Sequence, residues 1–159
     1  MVKEKLQEFT MRITQANRSE LIVIMYDMMK ADISYAKEVL EQQDYDRYRK
    51  ECQHAQKVLN ELMASLDYHY AMSYDLLSLY SYMNKRLVAA CMKKDGTILD
   101  EVEMVLDKLR IGFVEVSKQD PTGPVMKNTQ QVYAGLTYGR GALNESAIGY
   151  NDANRGFTA

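Results

Sequence analysis

The sequence predicts an all-α protein: an antiparallel up-down-up-down four-helix bundle with a short N-terminal helix and an irregular C-terminal tail. Both prolines follow residue 120, and the first 120 of the 159 residues contain only two glycines, Gly96 and Gly112. Apolar residues in that stretch recur every three or four positions, without an alternating strand pattern. The chain is therefore divided into an N-terminal arm (1–16), a bundle (17–120) and a tail (121–159).

The N-terminal arm carries one short apolar stripe. Four of its residues fall on a single face of a helix: Leu6, Phe9, Ile13 and Ala16. A helix of this length is only marginally stable in water. We therefore expect the arm to form a short amphipathic helix whose stripe packs on the bundle.

Turn chemistry marks the first two bundle helices. Asn17 and, three residues later, Glu20 are typical of a capping box, in which two side chains satisfy free amides at a helix start. The first helix is predicted at 17–41. A polar turn follows it, and the second helix is predicted at 45–66.

The third and fourth helices have similar signals. Ser73 is predicted to cap the third helix, which is expected to end near residue 94. An Asp-Gly turn follows, and Thr97 is predicted to cap the fourth helix. Because Pro121 disfavours helical backbone in the residue before it, the fourth helix is expected to end by residue 120.

Composition argues against several classes of function. The net charge is −2 and the isoelectric point is about 5.7, so a basic face for nucleic acid is not indicated. The longest apolar runs, at 21–26 and 87–92, are much shorter than the roughly 20 residues of a membrane span. No apolar leader follows the charged N-terminus. We therefore expect a cytoplasmic protein without membrane insertion, with both cysteines reduced.

One pair of residues has the spacing of a metal site. Glu51 and His54 match the carboxylate and imidazole spacing of di-iron bundles, which need a second such pair. The other histidine, His69, lies in a predicted turn without an acid three residues before it. We therefore interpret Glu51 and His54 as a solvated pair and expect no metal.

Catalytic groups have little support in the sequence. Cys52 and Cys91 lie on or beside apolar stripes and are interpreted as small buried side chains. Asp27 follows Tyr26 inside an apolar helix. We interpret it as a structural carboxylate bonded across the bundle to Arg86 or to a tyrosine. The alternative, a general base, lacks a visible catalytic partner, so neither an enzyme nor a cofactor is expected.

The predicted third helix is apolar almost all round. A helix in a four-helix bundle needs about three apolar residues in seven. The surplus has two explanations: a central helix that contacts neighbours on two sides, or a groove for an apolar partner. The chain has 12 tyrosines, 11 methionines and no tryptophan. Adaptable methionine and amphipathic tyrosine suit the second explanation.

Four segments of the bundle resemble the flagellin export chaperones, the FliS family. The first, at 21–27, reads Leu-Ile-Val-Ile-Met-Tyr-Asp. The second, at 55–67, holds Gln-Lys-Val-Leu-Asn-Glu-Leu, and the third, at 76–90, holds Ser-Tyr-Met-Asn-Lys-Arg. The fourth, at 101–113, combines Glu-Val with Leu-Arg and an aromatic residue. No single segment is specific, but the four lie in the order and spacing of the family.

Some positions depart from the pattern of the family. Asn17 and Arg18 stand where the family often has Ser-Pro, and Met28 stands where it often has glycine. Cys91 replaces a common asparagine, and Phe113 replaces a common tryptophan. The substitutions leave the helical periodicity intact.

The resemblance implies a partner and a mechanism. Members of this family are four-helix bundles that bind the disordered C-terminal segment of flagellin in apolar grooves. Holding that segment blocks premature polymerisation and presents the subunit to the type III export gate. Catalysis, cofactors and nucleic acid are not implied, and a homodimer remains open. The alternative interpretation is a helical adaptor or dimerisation module without a flagellin client.

Candidate site residues come from positions that match the family segments on the second and third helices. The candidates for client binding are Ala55, Leu59, Leu62, Leu79, Tyr82 and Met83. Each of them is read equally well as plain bundle core. Four further matched residues are interpreted as structural: Tyr26, Asp27, Tyr80 and Arg86.

The tail is long, poor in charge and punctuated by glycine and asparagine. Its apolar residues are too sparse to form a core of their own. We hypothesise that it docks in the client groove as an internal substitute for flagellin, with Val132 to Tyr138 as the anchor. The alternative is a contact with a neighbouring copy.

Overall fold

Five α-helices make up the regular structure of residues 3–127, which are the residues described by the structure, a computed structural model. The helices, in chain order, are α1 Lys3–Gln15, α2 Arg18–Glu41, α3 Tyr45–Ala64, α4 Met72–Lys93 and α5 Gly96–Gln119. No strand occurs in this part of the chain. The predicted all-α fold is confirmed, and each bundle helix begins and ends within about two residues of its predicted bounds.

Helices α2 to α5 form the bundle. Helix α2 packs against α3 and α5, and α4 packs against the other side of α3 and α5. Hydrogen bonds from Arg110 to Asp27 and from Lys37 to Glu103 show that α2 and α5 run antiparallel. Short connections keep the other neighbouring helices antiparallel as well. Each bundle helix therefore has two neighbours, and α2 and α4 lie diagonally opposite.

The core is built from the predicted stripes. Its largest completely buried side chains include three tyrosines, Tyr26, Tyr48 and Tyr80. The hydroxyls of Tyr26 and Tyr80 share a hydrogen bond of 2.5 Å, and the ring of Phe113 packs edge-on against Tyr26. The Tyr48 hydroxyl donates to the backbone carbonyl of Ala90 at 2.8 Å. Each buried hydroxyl thus has a partner, as burial of a polar group requires.

Helix caps agree with the sequence at one helix and differ at two. The capping box of Asn17 and Glu20 is present, with both hydrogen bonds at 2.8 Å. The prediction for Ser73 is wrong, because this residue lies inside the first turn of α4 and donates to the carbonyl of Asp67. The prediction for Thr97 is also wrong. Asp95 caps α5 and accepts hydrogen bonds from the amide and the hydroxyl of Thr97.

Helix α1 packs on α2 through the predicted stripe. Phe9, Ala16 and Ile24 form a small buried cluster, and Ile13 packs against it. Leu6 differs from the prediction, since it is 51% exposed and extends past the cluster. The stripe therefore docks α1 through its middle and C-terminal end.

The chain continues beyond α5 along the end of the bundle. The Asp120 carboxylate accepts a hydrogen bond from the Ser19 hydroxyl at 2.7 Å, and the Val125 amide donates to the Ala16 carbonyl at 3.1 Å. These contacts hold the segment after α5 near the junction of α1 and α2. The anchor predicted at Val132 to Tyr138 lies outside the described residues.

Candidate functional site

The structure divides the six candidate binding residues into two groups. Four of them are at most 1% exposed and belong to the bundle core: Ala55, Leu59, Leu62 and Met83. Leu79 and Tyr82 are 40% and 44% exposed. The four buried side chains cannot contact a partner while the bundle is closed. Of the six candidates, Leu79 and Tyr82 are the two that offer apolar surface to another molecule.

Leu79 and Tyr82 face the side of α4 that borders α5. Arg86, one turn further along α4, donates to both carboxylate oxygens of Glu101 on α5 at 2.6 Å. The Tyr82 hydroxyl donates to the same carboxylate at 3.1 Å. This antiparallel register sets Tyr82 opposite Val105, and Leu79 about one turn further along α5.

An apolar surface runs along this border. We call it the α4–α5 surface and define it by Leu79, Tyr82, Val105, Leu109 and Val116. Val105 and Leu109 are half-buried against the core, and Val116 is 50% exposed. A methyl group added at the neighbouring Gly112 would contact nothing within 4 Å. The surface is therefore open toward the C-terminal end of α5, where Gly112 and Val116 lie. The ion pair of Arg86 and Glu101 borders it at the N-terminal end of α5.

Asp27 has different partners from those expected. It accepts hydrogen bonds from Arg110 on α5 at 2.5 Å and from Arg12 on α1 at 2.7 Å. The expected bond to Arg86 is wrong, because Arg86 pairs with Glu101. Burial raises the pKa of Asp27, but the two arginines outweigh this effect and hold the pKa below its usual value. Asp27 thereby ties α1, α2 and α5 together.

A buried acidic residue was missed by the sequence analysis. Asp32 on α2 is completely buried, and its Oδ2 lies 2.6 Å from Nδ1 of His54 on α3. His54 therefore has a buried partner, Asp32, that the interpretation of Glu51 and His54 as a solvated pair did not include. The pKa of Asp32 rises to about 6, mainly because the carboxyl group is buried; His54 opposes this rise, and the nearby Glu51 contributes to it. The available signal was a carboxylate between Ala31 and Ile33 in an apolar helix.

A groove beside α1 is lined mainly by charged residues. Its volume is about 750 Å³, and α1, α2 and α5 contribute its walls. Lys30 pairs with Asp107 there, and Arg12 and Arg110 both pair with Asp27. Within residues 3–127, no group of three or more His, Cys, Asp and Glu side chains is arranged to hold a metal ion.

The lengths and polarity of the helices also bear on membranes. Over the described range, none of the five helices combines the length and the apolar character that crossing a bilayer requires.

Comparison with known proteins assigns the family. Residues 2–120, which include all five helices, match the family described as Flagellar protein FliS. The flagellar secretion chaperone FliS of Bacillus subtilis (strain 168) is 31% identical to this chain over 91 residues, which are 57% of this chain and 68% of the relative. The resemblance seen in the four sequence segments is confirmed, and the chain belongs to the FliS family of flagellar proteins.

Proposed function

We propose that this protein is a cytoplasmic flagellar secretion chaperone whose client is flagellin. In this proposal it binds the disordered C-terminal segment of flagellin in apolar grooves and prevents premature polymerisation. It then delivers the subunit to the flagellar type III export apparatus. Membership of the FliS family supports the proposal, as does the relative from Bacillus subtilis, which is itself named a flagellar secretion chaperone.

The α4–α5 surface is the observation that carries the proposal. Leu79 and Tyr82 lie next to each other on one face of α4, offset from the core stripe, and both are substantially exposed. An amphipathic segment that folds on binding needs such a preformed apolar groove on a rigid scaffold. Tyrosine suits this role because its ring contributes apolar area while its hydroxyl stays polar.

Two buried or half-buried carboxylates of the bundle are paired with basic side chains and are therefore interpreted as structural. Asp27 is held by two arginines, and Asp32 is held by His54. Burial raises the pKa of the Cys52 thiol to about 12, so the thiol is protonated at neutral pH. We therefore propose no catalytic role.

A truncation of the client tests the proposal. The full chain is used to capture flagellin and, in parallel, flagellin that lacks its C-terminal segment. The proposal expects capture of the first protein alone. Equal capture of both would contradict the C-terminal segment as the site of recognition.

Two substitutions on the same helix test the surface. Leu79→Asp places a carboxylate in the α4–α5 surface, where desolvation of the charge opposes binding. Met92→Asp is the matched control, because Met92 is 78% exposed and faces away from α5. We expect Leu79→Asp to abolish capture and Met92→Asp to preserve it, with both variants equally helical by circular dichroism.

A helical adaptor or dimerisation module is the second candidate, because the same apolar surface could pair two copies of the chain. Sedimentation measurements separate the two functions. The adaptor requires a dimer that Leu79→Asp dissociates, together with no flagellin capture. The chaperone requires capture that is lost in the same variant.

A further inference from the structure

The two cysteines of the chain belong to neighbouring, facing helices. Cys52 lies on α3 and is 1% exposed, and Cys91 lies on α4 and is half-buried. Cys52 is part of the main core cluster, and Cys91 packs against that cluster. The chain contains only these two cysteines.

Hydrogen bonds between α3 and α4 fix the register of the two thiols. Gln56 donates to Asn84 at 3.4 Å, and the Tyr48 hydroxyl donates to the carbonyl of Ala90 at 2.8 Å. Cys52 lies midway between the two α3 residues, and Cys91 directly follows Ala90. In this antiparallel register the two cysteines are offset by about one helical turn, or about 5 Å along the axis.

The direction of the side chains closes this offset. Every Cα–Cβ bond of a helix tilts toward the N-terminus of that helix. In an antiparallel pair, the Cβ atoms of Cys52 and Cys91 consequently tilt toward each other. Completely buried Ala55 and Ala90, beside the two cysteines, have small side chains that allow α3 and α4 to approach closely.

The titration of Cys52 reflects the same neighbourhood. The pKa of the Cys52 thiol rises to about 12, mainly because the thiol is buried; a hydrogen bond with Tyr48 opposes this rise, and the Cys91 thiol contributes to it. The helical register places the two thiols beside each other, and the influence of Cys91 on the pKa of Cys52 agrees with that placement.

We propose that Cys52 and Cys91 form an oxidisable pair, which a hydroperoxide converts into an intramolecular disulfide between α3 and α4. Cys91 reacts first, because it is the thiol that a small oxidant can reach. Its sulfur attacks the outer oxygen of the hydroperoxide, the O–O bond breaks, and an alcohol leaves with the thiol proton. The product is a sulfenic acid at Cys91.

The second step forms the cross-link. The Cys52 sulfur attacks the Cys91 sulfur as the Cys52 thiol loses its proton, the S–O bond breaks, and water leaves. Overall, two thiols are oxidised by two electrons and one hydroperoxide is reduced to an alcohol and water. With hydrogen peroxide the alcohol is a second water. The disulfide would join α3 to α4 on the side of α4 away from the α4–α5 surface. The proposal does not depend on the identity of the client.

The test exposes the folded, reduced full chain to hydrogen peroxide. Remaining thiols are alkylated after denaturation, and intact mass and oligomeric state are measured. We expect loss of both thiols in a monomer, the loss of two hydrogen atoms in mass, and full recovery with dithiothreitol. Disulfide-linked dimers, or survival of both thiols at a dose that oxidises the urea-unfolded chain, would overturn the proposal.

Single variants separate the two steps. In Cys52→Ala, Cys91 should form a sulfenic acid that dimedone traps, because the resolving thiol is missing. In Cys91→Ala, Cys52 should stay reduced for the same exposure, since it is buried; oxidation at the wild-type rate would refute the assignment. Circular dichroism checks the fold of both variants. If Cys52→Ala does not fold, brief alkylation of the folded wild type takes its place. We then expect Cys91 to be labelled first, and labelling of Cys52 first would refute the order of the two steps.

Discussion

Replacing Asp32 with asparagine should make the protein more stable at neutral pH. Asp32 is completely buried, and burial is the largest influence on its pKa, which rises from 3.8 to about 6 even with His54 2.6 Å away. A carboxyl group whose pKa is higher in the folded state binds its proton more tightly there than in the unfolded chain. Its contribution to stability is therefore complete below about pH 4 and is lost as the pH rises through about 6.

The magnitude follows from the size of the shift. A rise in pKa from 3.8 to about 6 corresponds to about 3 kcal/mol between acidic and neutral solution. Asparagine has the shape of the protonated acid and can still hydrogen-bond to His54, but it carries no charge to desolvate. We therefore expect Asp32→Asn to be more stable than the wild type by up to about 3 kcal/mol near pH 8, with little difference near pH 4.

Urea unfolding across this pH range is the assay. The free energy of unfolding is measured for the wild type and for Asp32→Asn in steps from about pH 4 to 8, and the difference between them is plotted against pH. His54→Gln serves as a companion variant, because it removes the imidazole and keeps a polar partner. A constant destabilisation by Asp32→Asn at every pH would refute the reasoning, since it would show that the buried charge is fully compensated.

Four further outcomes are expected. Tyr26→Phe should lower the free energy of unfolding by about 1–2 kcal/mol, because the buried Tyr80 hydroxyl loses its partner. Asp27→Asn should show the opposite pH signature to Asp32→Asn: the pKa of Asp27 is depressed, so its contribution is present above about pH 4 and disappears on acidification, which urea titrations resolve. Met83→Asp should unfold the protein by circular dichroism, since Met83 is completely buried. Deletion of residues 1–14 should lower the thermal midpoint, because it exposes the α2 surface that Phe9 covers; an unchanged midpoint would mean that α1 adds no stability.

Helices were predictable because their signals are local. Periodic apolar residues and one capping box located all four bundle helices, and the short stripe located α1. The capping residue could not be predicted where two neighbouring residues were both able to cap the helix. At the start of α5, Asp95 and Thr97 are both good capping residues, and the structure selects the acid, which accepts from Thr97. Which of the two residues caps the helix depends on the backbone angles at each position, and these cannot be deduced from the identity of one residue.

Partners across helices were not predictable, because they depend on the register between helices. The periodicity of α2 predicts the helix face on which Asp27 lies, but it does not predict which arginine of a neighbouring helix lies opposite Asp27. Arg86 and Arg110 are both on helices that follow α2, and only the packing of α5 beside α2 selects Arg110. For the same reason Asp32 could not be identified from the sequence, although its burial raises its pKa and makes stability depend on pH.

The candidate site shows where resemblance and burial diverge. Ala55, Leu59 and Leu62 follow the spacing of three and four residues, which is itself the signature of a core stripe, and all three are buried. Leu79 and Tyr82 each precede a core residue, Tyr80 and Met83, by one position. A shift of one residue rotates a side chain by about 100° around the helix. In a four-helix bundle, that rotation moves an apolar side chain from the core to the border with the next helix.

This rotation supplies a rule for finding partner surfaces in such bundles. Apolar residues on the stripe are buried in the core of the bundle. Apolar residues beside the stripe stay exposed, and can contact a partner, where the neighbouring helix does not cover them. On the α5 side of α4, Gly112 and Val116 leave that room. On the α3 side, Cys91 and small alanines close the seam. Helix α4 packs against both α3 and α5, and its border with α5 also keeps Leu79 and Tyr82 exposed. In the proposed function, a client segment adds its own apolar residues at this border without disturbing the core.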